Sequence, residues 1–210
     1  MSVLKCNKEM DAETISAIEQ AAADIKAGQL VVYPTETVYG IGANIYDQVA
    51  IKKLFVAKNR PFDMPLSVAV ADKDMVEQIA IMTKPVEKLI DAFLPGPLTI
   101  ITKKNPNVPD IVTSMSFKVG IRIPDDPVAL ELIRRTGPIV ATSANLHSHK
   151  DATTAEEAIA DFGDSVATYL DEGHTPTGRP STIVWISGDE MEIIRQGDIT
   201  KEQIEAVLNA

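Results

Sequence analysis

Ile139-Val140-Ala141-Thr142-Ser143-Ala144-Asn145 decides how this chain is read. Four residues of strand character run into a polar turn, so a buried strand ends by presenting a hydroxyl and an amide. Just before it, Asp126-Pro127 offers a cap and a first helical position, predicting a helix from Pro127 to about Arg135. Before that, Val119–Ile123 and Leu98–Thr102 read as strands, with Pro95-Gly96-Pro97 ending a helix over Pro85–Phe93. Toward the N-terminus, helical spacing covers Asp11–Ala27, a strand follows at Leu30–Tyr33, Asp47 caps a second helix, and Leu66–Val70 is strand-like. Toward the C-terminus, strands are expected at Val166–Leu170, Thr182–Ile186 and Glu192–Ile194. Thr154-Ala155-Glu156-Glu157 and Thr200-Lys201-Glu202-Gln203 both match the reciprocal capping box that opens a helix. Helices alternate with strands early and strands gather late, which predicts an α/β fold with a mixed sheet. Residues 1–210 are expected to form a single domain with its core at about 11–200. Lys103–Ser116 has no clear pattern and is expected to be a mobile loop.

The composition narrows the functions available. The chain has 210 residues, 45% hydrophobic and 24% charged, and a formal net charge of −10. Such an acidic surface argues against broad nucleic-acid binding, which depends on neutralising phosphates, but leaves room for a local basic groove. Cys6 is the single cysteine, so no intrachain disulfide can form and a reducing compartment is expected. Met1–Lys8 holds no apolar stretch resembling a secretion signal, and no run is long enough to cross a bilayer. A cytoplasmic location without membrane association follows as the expectation.

Lys58 and Arg60 close a predicted helix. They either complement its negative end or face a ligand across a loop stiffened by Pro61 and Pro65. Ser143 and Asn145 are ordinary turn residues that could also orient a substrate; no Gly-x-Ser-x-Gly surrounds Ser143, which argues against an esterase nucleophile. Arg122 and Arg195 lie in apolar runs and need either an internal carboxylate or a bound anion. Gly40-Ile41-Gly42 lacks the third glycine of a dinucleotide turn, its place being taken by Ile45. His147, His149 and His174 lack companion cysteines and a ligand spacing, so they read as loop histidines rather than a metal site.

Taken together, these motifs resemble the YrdC/TsaC family of threonylcarbamoyl-AMP synthases. The resemblance runs through Pro34–Gly42, Lys58–Leu66, Pro95–Thr99, Val119–Pro124, Ser143–Asn145, Ser181–Val184 and Arg195–Ile199, in a short form without an additional C-terminal domain. It implies a twisted mixed sheet with flanking helices and a basic concave cavity. The implied reaction joins L-threonine, bicarbonate (or carbon dioxide) and ATP into threonylcarbamoyl-AMP and pyrophosphate, with Mg²⁺ accompanying ATP. A separate transferase of the TsaD/KEOPS type would then modify tRNA, and contact with tRNA or double-stranded RNA is part of the same implication. By this resemblance Lys58, Arg60 and Arg195 serve the phosphates, Ser143 and Asn145 orient the nucleotide, and Thr35 and Arg122 hold threonine. Three positions depart from the family pattern. Ala69 stands where many relatives have a threonine-binding histidine, Leu146-His147-Ser148 replaces a Ser-Gly continuation, and Asp151 replaces a small polar residue. The alternatives are a YciO-like paralogue acting on another nucleotide or RNA, and a noncatalytic RNA-binding module.

Overall fold

The computed structural model describes residues 1–188 and 190–210. In chain order the elements are β1 (Ser2–Lys5), α1 (Ala12–Lys26), β2 (Val31–Tyr33), β3 (Gly40–Gly42), α2 (Gln48–Ala57) and β4 (Ser67–Ala69). Then come α3 (Lys73–Ile79), α4 (Lys84–Phe93), β5 (Leu98–Lys103), β6 (Lys118–Arg122), α5 (Pro127–Thr136) and β7 (Ile139–Ser143). The last are α6 (Ala155–Phe162), β8 (Thr168–Asp171), β9 (Thr182–Ser187), β10 (Glu190–Arg195) and α7 (Lys201–Asn209). All the strands join one sheet in the order β1-β8-β2-β3-β7-β4-β6-β5-β9-β10. It is mixed, as expected: β2/β8, β4/β6 and β5/β9 run parallel, whereas β3/β7, β4/β7 and β5/β6 run antiparallel.

Strand alternation divides the core in two. Val32, Ile41, Val68, Ile100, Ile121 and Val140 point to one face and pack against Ile51 and Leu54 of α2, Leu89 of α4 and Phe162 of α6. Their neighbours Val31, Tyr33, Ala69 and Ile139 point to the other face and meet Ile18, Ala21 and Ile25 of α1 and Val128, Leu132 and Ile133 of α5. The first face is covered over most of the sheet. The second is covered by α1 and α5 at one end only, and the central strands beyond them remain open.

Several local expectations change. The helix of Lys73–Ile79 and the edge strand Ser2–Lys5 carry no sequence reading above, the first being short and the second half-exposed. Gly40-Ile41-Gly42, which lacked the glycine pattern of a dinucleotide turn, is a further strand without a sequence reading. At Thr200 the capping box is complete, but at Thr154 it is not. Thr154 Oγ1 accepts from Glu157 N at 3.3 Å, while the Glu157 carboxylate reaches one residue further back to Thr153 N (2.7 Å) and Thr153 Oγ1 (3.0 Å). Thr153 offers two donors there, and a backbone N–H of Thr154 offers one. The expected mobile loop is instead anchored. Lys104 Nζ donates to Val108 O and Thr113 Oγ1, both at 3.2 Å, and pairs with Asp110. Val108 and Val112 are buried in the main core, and Leu66 N donates to Val112 O at 2.8 Å.

Asp126 caps α5 through Oδ1, which accepts from Ala129 N at 3.0 Å, and its other oxygen is buried without a hydrogen-bond donor. Glu172 lies beside it, with Lys8 Nζ 3.7 Å from both carboxylates. Burial, and then the Asp126 charge, push the Glu172 carboxyl up to about 7. The folded pKa exceeds the ordinary 4.5, so between those values the native state keeps a proton that the unfolded chain releases, and stability falls as pH rises through that window. Glu172→Gln is expected to flatten this decline and to raise the thermal midpoint at alkaline pH; melting curves across the window check it.

Candidate active site

The open part of the second sheet face is a cavity because its floor carries small side chains. In register across the central strands lie Ala141 of β7, Ser67 of β4 and Gly120 of β6. A Cβ on Gly40 would stand 2.7 Å from the buried Tyr33 ring, which disfavours any larger residue there, and one on Gly120 would stand 2.5 Å from Ser67 Oγ, which would have to rotate away. Ala69, Thr99 and Ser143 continue the floor, and the cavity, open to solvent on one side, has a volume of about 220 Å³. Around it stand Thr35, Arg60, Arg122, Ser181 and Arg195. Among the described residues, no aspartate or glutamate lines it. Three guanidinium groups facing one space, with no carboxylate of the described residues on the lining, are suited to anions.

Each cation reaches the cavity by its own route. Helix α2 ends in a Schellman motif: Asn59 adopts the left-handed conformation at φ 50°, Asn59 N donates to Val56 O, and Arg60 N donates to Phe55 O. This reversal, rather than charge at the helix end, aims Arg60 back at the sheet. Arg60 Nη2 then donates to Pro65 O at 2.9 Å and Nε to Met64 O at 3.3 Å, and burial lowers its pKa. Arg195, on the exposed edge, donates from Nε to Ser181 O at 3.0 Å and from Nη2 to Ser181 Oγ at 3.3 Å. Ser181 Oγ also shares a hydrogen bond of 2.8 Å with Thr99 Oγ1. Desolvation lowers the Arg195 pKa, Asp151 raises it and Arg122 lowers it again, so all three groups interact electrostatically. Arg122, on β6 opposite Ala69, meets both needs left open by the sequence: it lines the cavity, and Nη2 lies 3.0 Å from Glu36 Oε1.

Lys58 and Asn145 stand behind the wall, not on it. Lys58 is 2% exposed, and its Nζ donates to Ser143 O and Asn145 O, each at 2.6 Å. Its own carbonyl accepts from His147 N at 2.7 Å, so one residue clasps the whole Ser143–His147 turn. Burial, helped by the Arg60 charge, brings the Lys58 pKa down to about 7. Asn145 Nδ2 donates to Leu146 O at 3.0 Å and His149 O at 2.8 Å, its side chain also serving the turn. His149 Nδ1 lies 3.0 Å from Asp161 Oδ1, whose partner oxygen accepts from Leu146 N at 2.8 Å. None of the three histidines lines the cavity, and no cluster suited to a metal ion occurs among the described residues. Thr35 lines the cavity, but its hydroxyl donates to Val38 O at 2.6 Å and accepts from Thr37. Thr99, Ser181 and Glu36 had no role in the sequence reading. All three lie in the quoted motifs, but only the strand register shows that Thr99 faces the cavity.

Comparison with known proteins agrees with this architecture. A family model described as telomere recombination, covering Sua5, YciO and YrdC, matches residues 23–197. A relative from Methanocaldococcus jannaschii is 37% identical over 202 residues, with 96% of each chain covered. The threonylcarbamoyl-AMP synthase of Bacillus subtilis is 43% identical over 197 residues, which span 91% of this chain and 56% of that one. The structure of P. abyssi Sua5 complexed with L-threonine superposes with a TM-score of 0.93 at 35% identity, over 99% of this chain and 61% of the other. The chain thus spans little more than half the length of the last two.

Lys58→Met should leave two carbonyls without donors, at a cost of about 1–3 kcal/mol for each that becomes unsatisfied. Because the folded pKa of about 7 lies below the ordinary 10.5, the unfolded chain binds the extra proton between them, and stability rises with pH through that window. A neutral amine retains the two N–H groups that the carbonyls use. Denaturant melts should show the rise in the wild type and not in Lys58→Met.

Proposed function

The chain belongs to the Sua5/YciO/YrdC family, and on that basis we propose that it is an L-threonylcarbamoyladenylate synthase. One observation carries this reading: Arg60, Arg122 and Arg195 converge with Ser143, Ser181 and Thr99 hydroxyls on a cavity that no carboxylate of the described residues lines. An amino-acid carboxylate and a polyphosphate are the anions that such a set accommodates together. The threonine complex of the P. abyssi relative supports the same assignment.

The reaction proceeds in two steps. Threonine's ammonium loses a proton to solvent, and the free amine attacks bicarbonate-derived carbon, giving a carbamate and water. A carbamate oxygen then attacks the α-phosphorus of ATP, and pyrophosphate departs with the electrons of the broken P–O bond. Such transfer depends on alignment and on neutralising phosphate charge rather than on a strong base. Arg60 and Arg195 take the phosphates. Arg122 takes the threonine carboxylate. Ser143 orients the nucleotide, and Lys58 and Asn145 hold the turn that presents it. Thr35 shapes the threonine end of the cavity and anchors Thr37. Mg²⁺ accompanying ATP would take oxygen ligands from phosphates and water, since the described lining residues offer hydroxyls and no carboxylate, and it would supply further charge neutralisation at the phosphates.

The product passes to a separate transferase of the TsaD/KEOPS type that modifies tRNA. The single domain, 1–210, works in the cytoplasm; no helix among the described residues is long and apolar enough to cross a membrane. A YciO-like activity on another substrate is the competing outcome, and Ala69 on the cavity floor is the residue that favours it.

Pyrophosphate release from ATP should require both bicarbonate and L-threonine, with L-serine a poorer substrate. Release independent of threonine would replace this reading with the paralogue's. Arg60→Ala and Arg195→Ala should each lower kcat/KM by about 10²-fold, the scale for losing one preorganised contact to a developing charge. Full activity in either variant would remove that residue from the phosphate site.

A further inference from the structure

Glu36 follows Thr35 in the crossing between β2 and β3, and its carbonyl accepts from Thr177 N at 3.1 Å. The Glu36 and Arg122 side chains are 11% and 10% exposed. Buried charges of this kind usually interlock through two parallel hydrogen bonds. Here they do not. Arg122 Nη2 donates instead to Thr37 Oγ1 at 2.6 Å. Neither Glu36 oxygen receives a hydrogen bond of good geometry, and Arg122 Nε is buried without an acceptor.

Thr37 explains the offset. Thr35 gives its hydroxyl proton to Val38 O, so in the 3.0 Å contact between the two hydroxyls it is Thr37 that donates. Thr37 Oγ1 is then left as an acceptor for Arg122. The relay from Arg122 through Thr37 and Thr35 to Val38 O fixes the Nη2 end of the guanidinium, and Glu36 Oε1 holds the same nitrogen by its charge at 3.0 Å. Glu36 itself does not line the cavity, whereas Arg122 does.

We infer that Glu36 is a positioning residue for substrate recognition: its buried carboxylate, kept off the paired geometry by Thr37, holds the Arg122 guanidinium with its free edge toward the amino-acid substrate. A fully paired guanidinium would have less charge and fewer N–H groups left for a ligand carboxylate. A guanidinium without Glu36 would lose its fixed orientation. This inference rests on the assignment of Arg122 to the amino acid, and it predicts that Glu36 acts only through Arg122.

Steady-state kinetics of Glu36→Gln, Arg122→Ala and the double variant test it. Glu36→Gln should raise KM for threonine about tenfold and leave KM for ATP within about twofold. The double variant should be no worse than Arg122→Ala, as expected of coupled residues. Glu36→Asp, which keeps the charge on a shorter arm, should fall between Glu36→Gln and the wild type. Equal rises in both KM values, or additive losses in the double variant, would overturn the inference. NMR of the arginine Nε–H groups gives a readout independent of the reaction. The Arg122 signal, assigned by its absence in Arg122→Ala, should be protected in the wild type and exchange at least about tenfold faster in Glu36→Gln. Unchanged exchange would overturn the inference even if turnover proved independent of threonine. Should Glu36→Gln fail to fold by thermal melting, the same exchange comparison is made with Glu36→Asp.

Discussion

Like charges forced together in a partly dry space repel, and the candidate site is organised around that constraint. Arg60, Arg122 and Arg195 share one cavity, with Lys58 directly behind its wall. The protein offsets this charge from outside the lining. Glu36 stands behind Arg122, Asp151 acts on both Lys58 and Arg195, and burial draws the Lys58 pKa toward neutrality. Backbone carbonyls do the rest: Pro65 O, Ser181 O, Ser143 O and Asn145 O each accept from one of these cations. The cations are thereby fixed without being neutralised at the surface a ligand would meet. Preorganised charge of this kind stabilises a transition state without reorganising during the reaction.

The sheet makes this arrangement possible because its two faces are used differently. One face is buried under α2, α4 and α6 by branched residues at alternate positions. The other is packed by α1 and α5 at one end and reduced to glycine, alanine, serine and threonine in the middle. A one-residue slip of any central strand would exchange Val68 for Ser67, or Ile121 for Gly120. It would both fill the cavity and hollow the core. Stability and binding are therefore tied to the same register.

Much of the fold was legible in advance. Caps at Asp47, Asp126 and Thr200 were readable because each places a side-chain acceptor within reach of backbone N–H groups two or three residues on. The Lys103–Ser116 segment misled because its order comes from contacts made far away in sequence, such as Leu66 N to Val112 O. Thr154 opens its helix as expected, and only the reciprocal half of the box is lost, since Thr153 competes for the same carboxylate. Among candidate site residues, Arg60, Arg122, Ser143, Arg195 and Thr35 do meet at one cavity. Lys58 and Asn145 belong to the same neighbourhood but face the backbone.

By itself the sequence determined the α/β class, the strands' two-residue alternation and the identity of the polar groups near the strand ends. These depend on periodicity, caps and residue chemistry, all of which act over a few neighbouring positions. Only the tertiary structure decided which way each polar group faces. Lys58 turns inward because two carbonyls 85 and 87 residues away need its protons. Arg122 faces the cavity because Glu36 and Thr37, on another strand connection, hold its other edge. Such choices follow from register and from the satisfaction of buried polar atoms across the whole sheet, which no local stretch of chain encodes.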